Sequence, residues 1–244
     1  MPKLHVNVDH IATVRQARRE RFPDPVAWAL QAERAGAQGI TCHLRVDRRH
    51  IQDEDVKRLR SEIQTRLNLE LSLAPEIVAI ALESGADSFC LVPESRNEVT
   101  TEGGLDVLKE ELRLLKVVPA LAQRGGEVSL FIDPQPDQVR ASAAVGAQFI
   151  ELHTGRYALA QGSDREEELT RLALAAELGQ SLGLQVNAGH GLDYDNVVPV
   201  AALPGLVELN IGFALVAESL FSGVEKSIGR MLGLMAQPHN ASTR

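Results

Sequence analysis

The sequence has little of what defines several classes of protein. Its two cysteines, Cys42 and Cys90, lie in apolar runs, which indicates packed thiols rather than a disulfide framework or a metal site. No stretch approaches the roughly 18 apolar residues of a membrane span, and no apolar leader is evident, so we expect a cytoplasmic protein that does not bind membranes. Positive charge is in deficit, and the formal net charge of −8 argues against general binding to nucleic acid.

Three further absences restrict the chemistry. A Schiff-base aldolase or a pyridoxal-phosphate enzyme needs a lysine at the C-terminal end of a strand, but the five lysines lie elsewhere, at Lys3, Lys57, Lys109, Lys116 and Lys226. No G-x-G-x-x-G or Walker A run is present, which disfavours a doubly wound nucleotide-binding sheet. The His-x-His motif of dinuclear barrel hydrolases is missing from the first predicted strand, and we therefore expect no metal ion.

Short strand-like runs alternate with longer helical patterns along the chain. Such alternation implies parallel strands joined by crossovers, and eight strands in 244 residues are typical of a closed barrel. The predicted strands are 4–9, 39–44, 67–71, 88–92, 128–133, 149–153, 184–188 and 207–211. The predicted helices are 25–35, 53–64, 75–83, 105–123, 136–144, 164–182 and 214–234, with a weaker pattern at 194–202.

We therefore predict an α/β protein, folded as a (β/α)8 TIM barrel with extra helices. The barrel forms one catalytic domain over residues 1–236, and residues 237–244 form a loose tail. A weak internal repeat supports this organisation, because Gly36, Gly85 and Gly146 each stand three residues before a predicted strand. A glycine there can adopt the left-handed conformation that ends a helix.

Polar residues alternate with apolar ones on the predicted strands. Since successive side chains point to opposite faces, Leu67, Leu69 and Leu71 should pack on helices while Glu70 points into the barrel. Active sites of this fold lie at the C-terminal ends of the strands. The same test places inside the barrel Asn7, Asp9, Thr41, His43, Arg45, Glu151, His153, Asn187, Glu208 and Asn210. For Glu151, His153 and Glu208, membership of a structural hydrogen-bond network is an equally good interpretation.

Arginines follow the first two predicted strands. Guanidinium groups pair with phosphate oxygens bidentately, so the two clusters predict phosphate binding at the barrel mouth. The first, in a predicted loop, is Arg15, Arg18, Arg19 and Arg21; the second is Arg45, Arg48, Arg49 and His50. For any single arginine, pairing with a nearby carboxylate is the better interpretation.

Two connections have features of ligand-binding loops. Residues 92–104 form a long polar connection, which is either a lid over a pocket or a plain surface loop. After strand 7, His190 stands between Gly189 and Gly191, an arrangement that permits close backbone approach to a ligand. The loops after strands 7 and 8 are the usual phosphate site of this fold, where Gly191 and Gly212 lie.

Four runs in this sequence resemble the signatures of the pyridoxine 5′-phosphate synthase family. They stand in order at predicted strand ends, over residues 6–13, 43–51, 98–107 and 186–192, and the resemblance covers essentially the whole chain. That family condenses 3-amino-2-oxopropyl phosphate with 1-deoxy-D-xylulose 5-phosphate, releases phosphate and water, and needs no metal or organic cofactor. The resemblance implies the same activity here, in a symmetric oligomer, commonly an octamer.

The resemblance also implies a role for particular residues. His43 and Glu70 match the proton acceptors, and His190 matches the donor. Contacts to the deoxyxylulose phosphate match Asp9, His10, Arg45, His50 and Thr100; contacts to the amino ketone phosphate match Asn7, Arg18, Gly191 and Gly212. Where the family often has Gly-His after strand 8, this chain has Gly212-Phe213. A backbone N–H contact survives that change, whereas a side-chain role for the histidine does not.

Other functions stay open from the residues alone. A sugar-phosphate isomerase or epimerase on the same fold would use the same Glu70 and His43. A metal-dependent hydrolase would contain stoichiometric zinc. A non-catalytic scaffold would more readily fill its barrel with Val, Ile and Leu, so the predicted polar interior argues against it.

Overall fold

Eight parallel strands close into a barrel in the computed structural model, which describes residues 1–94 and 103–237. Each strand pairs with its neighbours in sequence, and β1 pairs with β8 to close the ring. The predicted single-domain TIM barrel is therefore confirmed. The strands are β1 (Lys3–Asn7), β2 (Gly39–Leu44), β3 (Arg66–Leu71), β4 (Ser88–Leu91), β5 (Glu127–Ile132), β6 (Phe149–His153), β7 (Gln185–Gly189) and β8 (Leu206–Ile211).

Helices connect the strands, and in the part of the chain that the structure describes three segments hold two helices each. These are the segments between β1 and β2, between β6 and β7, and after β8, which bears out the expectation of extra helices. The described helices are α1 (Asp9–Arg18), α2 (Pro25–Arg34), α3 (Asp53–Glu62), α4 (Pro75–Ser84), α5 (Val107–Ala122), α6 (Pro136–Ala144), α7 (Gly155–Leu159), α8 (Gly162–Ser181), α9 (Val197–Ala201), α10 (Phe213–Ser222) and α11 (Val224–Met235).

Local chemistry explains where several helices begin and end. Asp24 caps α2 by accepting a hydrogen bond from the backbone N–H of Val26 at 3.0 Å, and Pro25 occupies the first helical position. The three glycines of the predicted repeat have φ values of 107°, 68° and 84°, all in the left-handed region. Each strand after these turns therefore starts at the predicted place.

The two faces of the strands form separate environments. Leu67, Leu69 and Leu71 are fully buried in the apolar core between barrel and helices, as their alternation predicts. Cys42 belongs to that core, while Cys90 faces the barrel interior beside Phe131. Both thiols are buried and free, so their predicted packing role is confirmed.

The first strand is shorter than predicted. It ends at Asn7, and Asp9 opens α1 instead of closing the strand. Asn7 causes the turn, because its Oδ1 accepts the backbone N–H of Asp9 at 2.8 Å. The carboxylate of Asp9 then lies at a helix N-terminus, where the helix dipole favours negative charge.

The predicted loop holds for Arg19 and Arg21, which follow α1, but it is wrong for the other two arginines of the first cluster, and so is part of the cluster's predicted role. Arg15 and Arg18 lie on α1. Arg15 is buried and binds both carboxylate oxygens of Asp55, at 2.7 and 2.6 Å. Arg15 therefore links α1 to α3 through an ion pair and is not available to a substrate phosphate.

The C-terminal region also differs from expectation. The helix predicted over 214–234 is two helices, α10 and α11, separated by Gly223 at φ 84°. The weak helix predicted at 194–202 is the short α9. Most of the predicted tail lies outside the described residues. Within the described ranges, no helix is long and apolar enough to cross a membrane.

Candidate active site

The barrel interior is polar through most of its depth. Asn210 of β8 accepts the hydroxyl hydrogen of Thr41 from β2 at 2.8 Å and donates to Oε2 of Glu151 in β6 at 2.6 Å. Asn68 donates to the same Thr41 hydroxyl at 3.3 Å, and Asn187 donates to Glu208 at 3.0 Å. The bonds of Asn210 cross the barrel and link strands that are not neighbours. The predicted inward positions of these residues are confirmed.

Glu70 stands at the centre of this interior. Strand register places it between His43 of β2 and Cys90 of β4. Burial, and then the nearby carboxyl groups of Glu151 and Asp9, raise the pKa of Glu70 well above its usual range. In a low-dielectric cavity such groups cannot all be ionised at neutral pH. The Glu70 carboxylate is therefore a stronger base than an exposed one, suited to exchange a proton with a ligand.

The two carboxyl neighbours of Glu70 show the same effect. Burial raises the pKa of Asp9 to about 7, although the backbone N–H of His43 and the Asn7 amide stabilise its ionised form. Burial raises the pKa of Glu151 to about 8, against the hydrogen bond that Asn210 donates. Perturbed carboxyl groups of this kind, concentrated in one cleft, are typical of active sites.

Asp9 organises the region around the ends of β1 and β2. Its Oδ1 accepts the backbone N–H of His43 at 2.8 Å, and its Oδ2 accepts the amide of Asn7 at 3.0 Å. The ring centroids of His43 and His50 lie 6.0 Å apart. Four predicted site residues are therefore brought together here: Asn7, Asp9, His43 and His50.

The imidazoles of this region are held neutral. Burial, followed by the charges of His50 and Arg45, lowers the pKa of His43 to about 3. Burial, followed by Arg45 and His10, lowers the pKa of His50 to about 4. Nε2 of His43 is buried and has no hydrogen-bond partner among the described residues. A neutral imidazole with an unengaged nitrogen is suited to accept a proton from a substrate.

Asp9, His43 and His50 also form the one group of potential metal ligands in the described ranges. One ligand atom from each lies within 4.8 Å of the others. However, both Asp9 oxygens already accept hydrogen bonds inside the protein. The predicted absence of a metal ion stays a prediction, and the donor set makes zinc the ion to test.

All three arginines of the second cluster pair with carboxylates, and one of them is enclosed. Arg45 is 4% exposed, lies 3.3 Å from Asp47, and influences the charge of both His43 and His50. Arg48 binds Asp53 at 2.8 Å, and Arg49 binds Asp47 at 2.7 Å. The carboxylate-paired interpretation is therefore supported for all three arginines, and Arg45, which also lies 3.7 Å from Glu94, differs in being enclosed near His43 and His50.

The remaining predicted contacts have different surroundings. Phe213 begins α10, is 69% exposed, and meets His10 edge-on with ring centroids 5.2 Å apart. A Cβ on Gly212 would lie 2.9 Å from Cβ of Asn7, so only glycine fits between β8 and β1 at this point. Arg18 is exposed at the end of α1. Thr100 and most of the predicted 92–104 connection lie outside the described residues.

His190 occupies a strained position after β7. Its φ of 79° is rare for a residue with a side chain, and such strain is concentrated at functional sites. Burial, then the neighbouring His153 and His10, lower its pKa to about 4. The charge of His10 also contributes to lowering the pKa of both His50 and His190.

Two polar residues of the interior were missed by sequence reasoning. Asp133 directly follows β5 and lies 3.0 Å from Nδ1 of His153. Its position at the end of a predicted strand was the available signal. His5, which alternates with Leu4 and Val6, is fully buried 3.3 Å from Glu208 at the opposite end of the barrel.

Comparison with known proteins gives one family. A family model described as pyridoxal phosphate biosynthesis protein PdxJ matches residues 4–237. A protein of a Synechococcus strain named pyridoxine 5′-phosphate synthase is 55% identical over 232 residues, which cover 95% of this chain and 97% of the relative. A protein of the same name from Nostoc punctiforme is 54% identical, covering 95% of this chain and 96% of that protein.

Solved structures support the fold independently. KGPDC from Streptococcus mutans superposes with a TM-score of 0.65 at 14% identity, over 96% of this chain and 97% of the other. Phosphoribosyl anthranilate isomerase from Thermus thermophilus superposes with a TM-score of 0.59 at 16% identity, over 96% and 98%. At these identities the likeness establishes the barrel fold alone.

Proposed function

We propose that this chain, which belongs to the family of the pyridoxal phosphate biosynthesis protein PdxJ, joins 3-amino-2-oxopropyl phosphate to 1-deoxy-D-xylulose 5-phosphate. The products would be pyridoxine 5′-phosphate, phosphate and water. The relatives named pyridoxine 5′-phosphate synthase make the chain an enzyme of vitamin B6 biosynthesis. The choice of these two substrates rests on the family resemblance.

The observation that most strongly supports the proposal is the set of proton-transfer groups at the C-terminal end of the barrel. His43, Glu70 and His190 project there from β2, from β3 and from the turn after β7. Ring formation from an amine and a ketone is a series of proton transfers around one ligand. Several acid–base groups of different proton affinity within one pocket suit such a series.

His43, Glu70 and His190 each take part in the proposed course of the reaction. The substrate amine attacks the ketone, and loss of water gives an imine. Removal of a carbon-bound proton by His43 or Glu70 gives the enamine, phosphate leaves, and the second condensation closes the ring with loss of a second water. His190 supplies a proton to the oxygen of the departing group.

The proton affinity of His190 has to rise for that role. In the protein alone its pKa lies near 4, so it is neutral at pH 7. A phosphate bound at Gly191 would place negative charge next to the ring, and an opposite charge within a few ångströms favours the protonated form. Arg45 and the backbone of Gly212 are the proposed contacts for the two phosphate groups.

No metal or organic cofactor enters the proposal. The bases are carboxyl and imidazole groups of the chain, and the proposed electrophiles are the carbonyl groups of the substrates. By family resemblance the proposal also includes the cytoplasm and a symmetric oligomer, commonly an octamer. Leu220 and Phe221, which are adjacent and exposed on α10, support an oligomer in so far as contiguous apolar patches mark interaction surfaces.

An omission experiment tests the proposal. Chelator-treated protein would be mixed with both substrates, with each alone, and with neither, while the pyridine absorbance and free phosphate are followed. The proposal expects both signals only with both substrates present, and none from a Glu70→Gln variant. Turnover of a single sugar phosphate would overturn it in favour of an isomerase, and turnover only after zinc is added would overturn the metal-free course.

A further inference from the structure

Behind His190 lies a pair of residues that the proposed reaction does not use. His153 closes β6, and its Nδ1 lies 3.0 Å from Oδ1 of Asp133 at the end of β5. His153 is 5% exposed. The Nε2 of its ring is buried and has no hydrogen-bond partner among the described residues. A buried histidine with one nitrogen bound and the other unengaged requires an explanation.

The charge state of Asp133 settles which nitrogen of His153 carries the hydrogen. The hydrogen bond to His153, and further the backbone N–H of Gly104 at 3.1 Å, lower the pKa of Asp133 below its usual range. The ionised carboxylate can only accept hydrogen bonds. His153 is therefore protonated on Nδ1, and its Nε2 presents a lone pair.

That lone pair lies on the side of the ring that approaches His190. The rings of His153 and His190 meet edge-on with centroids 5.1 Å apart, and Phe131 packs against both of them. A Cβ on Gly155 would stand 2.5 Å from Nε2 of His153 and 3.3 Å from Cδ2 of His190. Glycine at this position is what allows the two imidazoles to converge.

The backbone of His190 is tied to the same strand end. Thr154, next to His153, donates its hydroxyl to the carbonyl of Gly189 at 2.7 Å and also contacts the carbonyl of His190. Its own N–H binds the Gly189 carbonyl at 2.9 Å. The left-handed turn that carries His190 is thus fixed by β6, which also carries His153.

We propose that Asp133 and His153 form a positioning pair for the proton donor His190, in which the carboxylate fixes the tautomer of His153, the pair orients the ring of His190, and the negative charge of Asp133 favours its protonated form. This inference rests on the proposed function. The pair does not touch the substrate, so both members are positioning residues. The charged groups around it are Asp133, Arg156 on α7, and His10 on the far side of His190.

The pair has a predictable effect on pH dependence. His190 must be protonated to act as a donor, so the rate falls as pH rises through its pKa in the substrate complex. Removing the negative charge of Asp133 lowers that pKa, because an opposite charge nearby favours the protonated form. The alkaline limb of the pH profile of kcat should therefore move to lower pH.

The test compares three variants with the wild-type protein. Asp133→Asn removes the charge and keeps the shape, and His153→Gln removes the imidazole. Asp137→Asn is the matched control, since Asp137 is an exposed aspartate of α6. We expect kcat to fall about tenfold in the first two, which corresponds to about 1.4 kcal/mol, with KM within about twofold. The alkaline limb should shift only in Asp133→Asn and not in the control.

A second measurement does not depend on turnover. Nitrogen NMR of ¹⁵N-histidine-labelled wild-type protein should show His153 protonated on Nδ1 alone, and Asp133→Asn should show a mixture of tautomers. An Nε2-protonated His153 in the wild type would overturn the inference, whatever the enzyme makes. Unchanged kcat and pH profile in both variants would also overturn it, whereas absence of product from the wild-type protein would count against the proposed function only.

Discussion

Replacing Glu70 by glutamine should lower the rate of catalysis and raise the stability of the fold. Glutamine has nearly the same shape as glutamate and keeps one acceptor oxygen, but it cannot take up or release a proton. A positioned acid–base group contributes typically 10²- to 10⁴-fold in rate. We therefore expect kcat of Glu70→Gln to fall by at least about 100-fold, or about 2.7 kcal/mol, while KM for each substrate stays within about threefold.

The same substitution should stabilise the fold above pH 4.5, the ordinary pKa of glutamate. Burial and the carboxyl groups of Glu151 and Asp9 raise the pKa of Glu70 in the folded protein. Between the unfolded and folded pKa values the folded protein binds more protons, so wild-type stability falls as pH rises through that window. Glutamine has no such dependence. We expect the free energy of unfolding of Glu70→Gln to exceed that of the wild type by on the order of 1–2 kcal/mol at pH 8, a gain typical of replacing a destabilising active-site residue. The difference should shrink toward pH 5.

Urea unfolding at pH 5, 6.5 and 8 measures the stability, and steady-state kinetics with both substrates measure the rate. Glu177→Gln serves as a control, since this glutamate lies on the exposed face of α8. A variant that is less active and also less stable at pH 8 would mean that Glu70 is a structural residue. Wild-type turnover in Glu70→Gln would refute its assignment as a base.

Three further substitutions test separate parts of the account. Arg45→Ala should raise KM for one phosphorylated substrate at least tenfold with little loss of kcat at saturation; equal KM values in steady-state kinetics would remove Arg45 from the phosphate contacts. Arg15→Ala should destabilise the fold by about 3–5 kcal/mol because it leaves Asp55 buried and unpaired, and an unchanged urea midpoint would contradict this. Gly212→Ala should cost about 1–3 kcal/mol by overpacking against Asn7 and weaken substrate binding, as calorimetry with each substrate would show.

The barrel itself could be predicted because its signals are local and repeated. Strand 3 shows why: three leucines alternate with polar residues, and the alternation alone placed Glu70 inside the barrel. The left-handed glycines before strands, such as Gly85, fixed the starts of strands in the same way. Errors of one or two residues remained at the ends of predicted elements, as at Asp9, whose backbone N–H donates to the Asn7 side chain and so opens a helix. The helices α1 and α7 were not predicted.

The pairing of charged groups could not be predicted, because it depends on contacts distant in sequence. Arg15 finds its partner 40 residues away, in Asp55, and so leaves the predicted phosphate cluster. The Asp133–His153 contact spans 20 residues and two strand ends. No spacing rule on one element reveals either contact, although the adjacency of β5 and β6 in the closed barrel accounts for the second. The site residues implied by family resemblance stay predictions of role, although the fold brings several of them together.

The most direct test of the central claim is to follow the atoms of both substrates into one product. Chelator-treated protein would be given ¹⁵N-labelled 3-amino-2-oxopropyl phosphate and unlabelled 1-deoxy-D-xylulose 5-phosphate, and the product would be examined by mass spectrometry while phosphate is counted. The account predicts pyridoxine 5′-phosphate with one ¹⁵N in its ring and one phosphate released per ring formed. An unlabelled product, or a rearranged sugar phosphate without phosphate release, would contradict it.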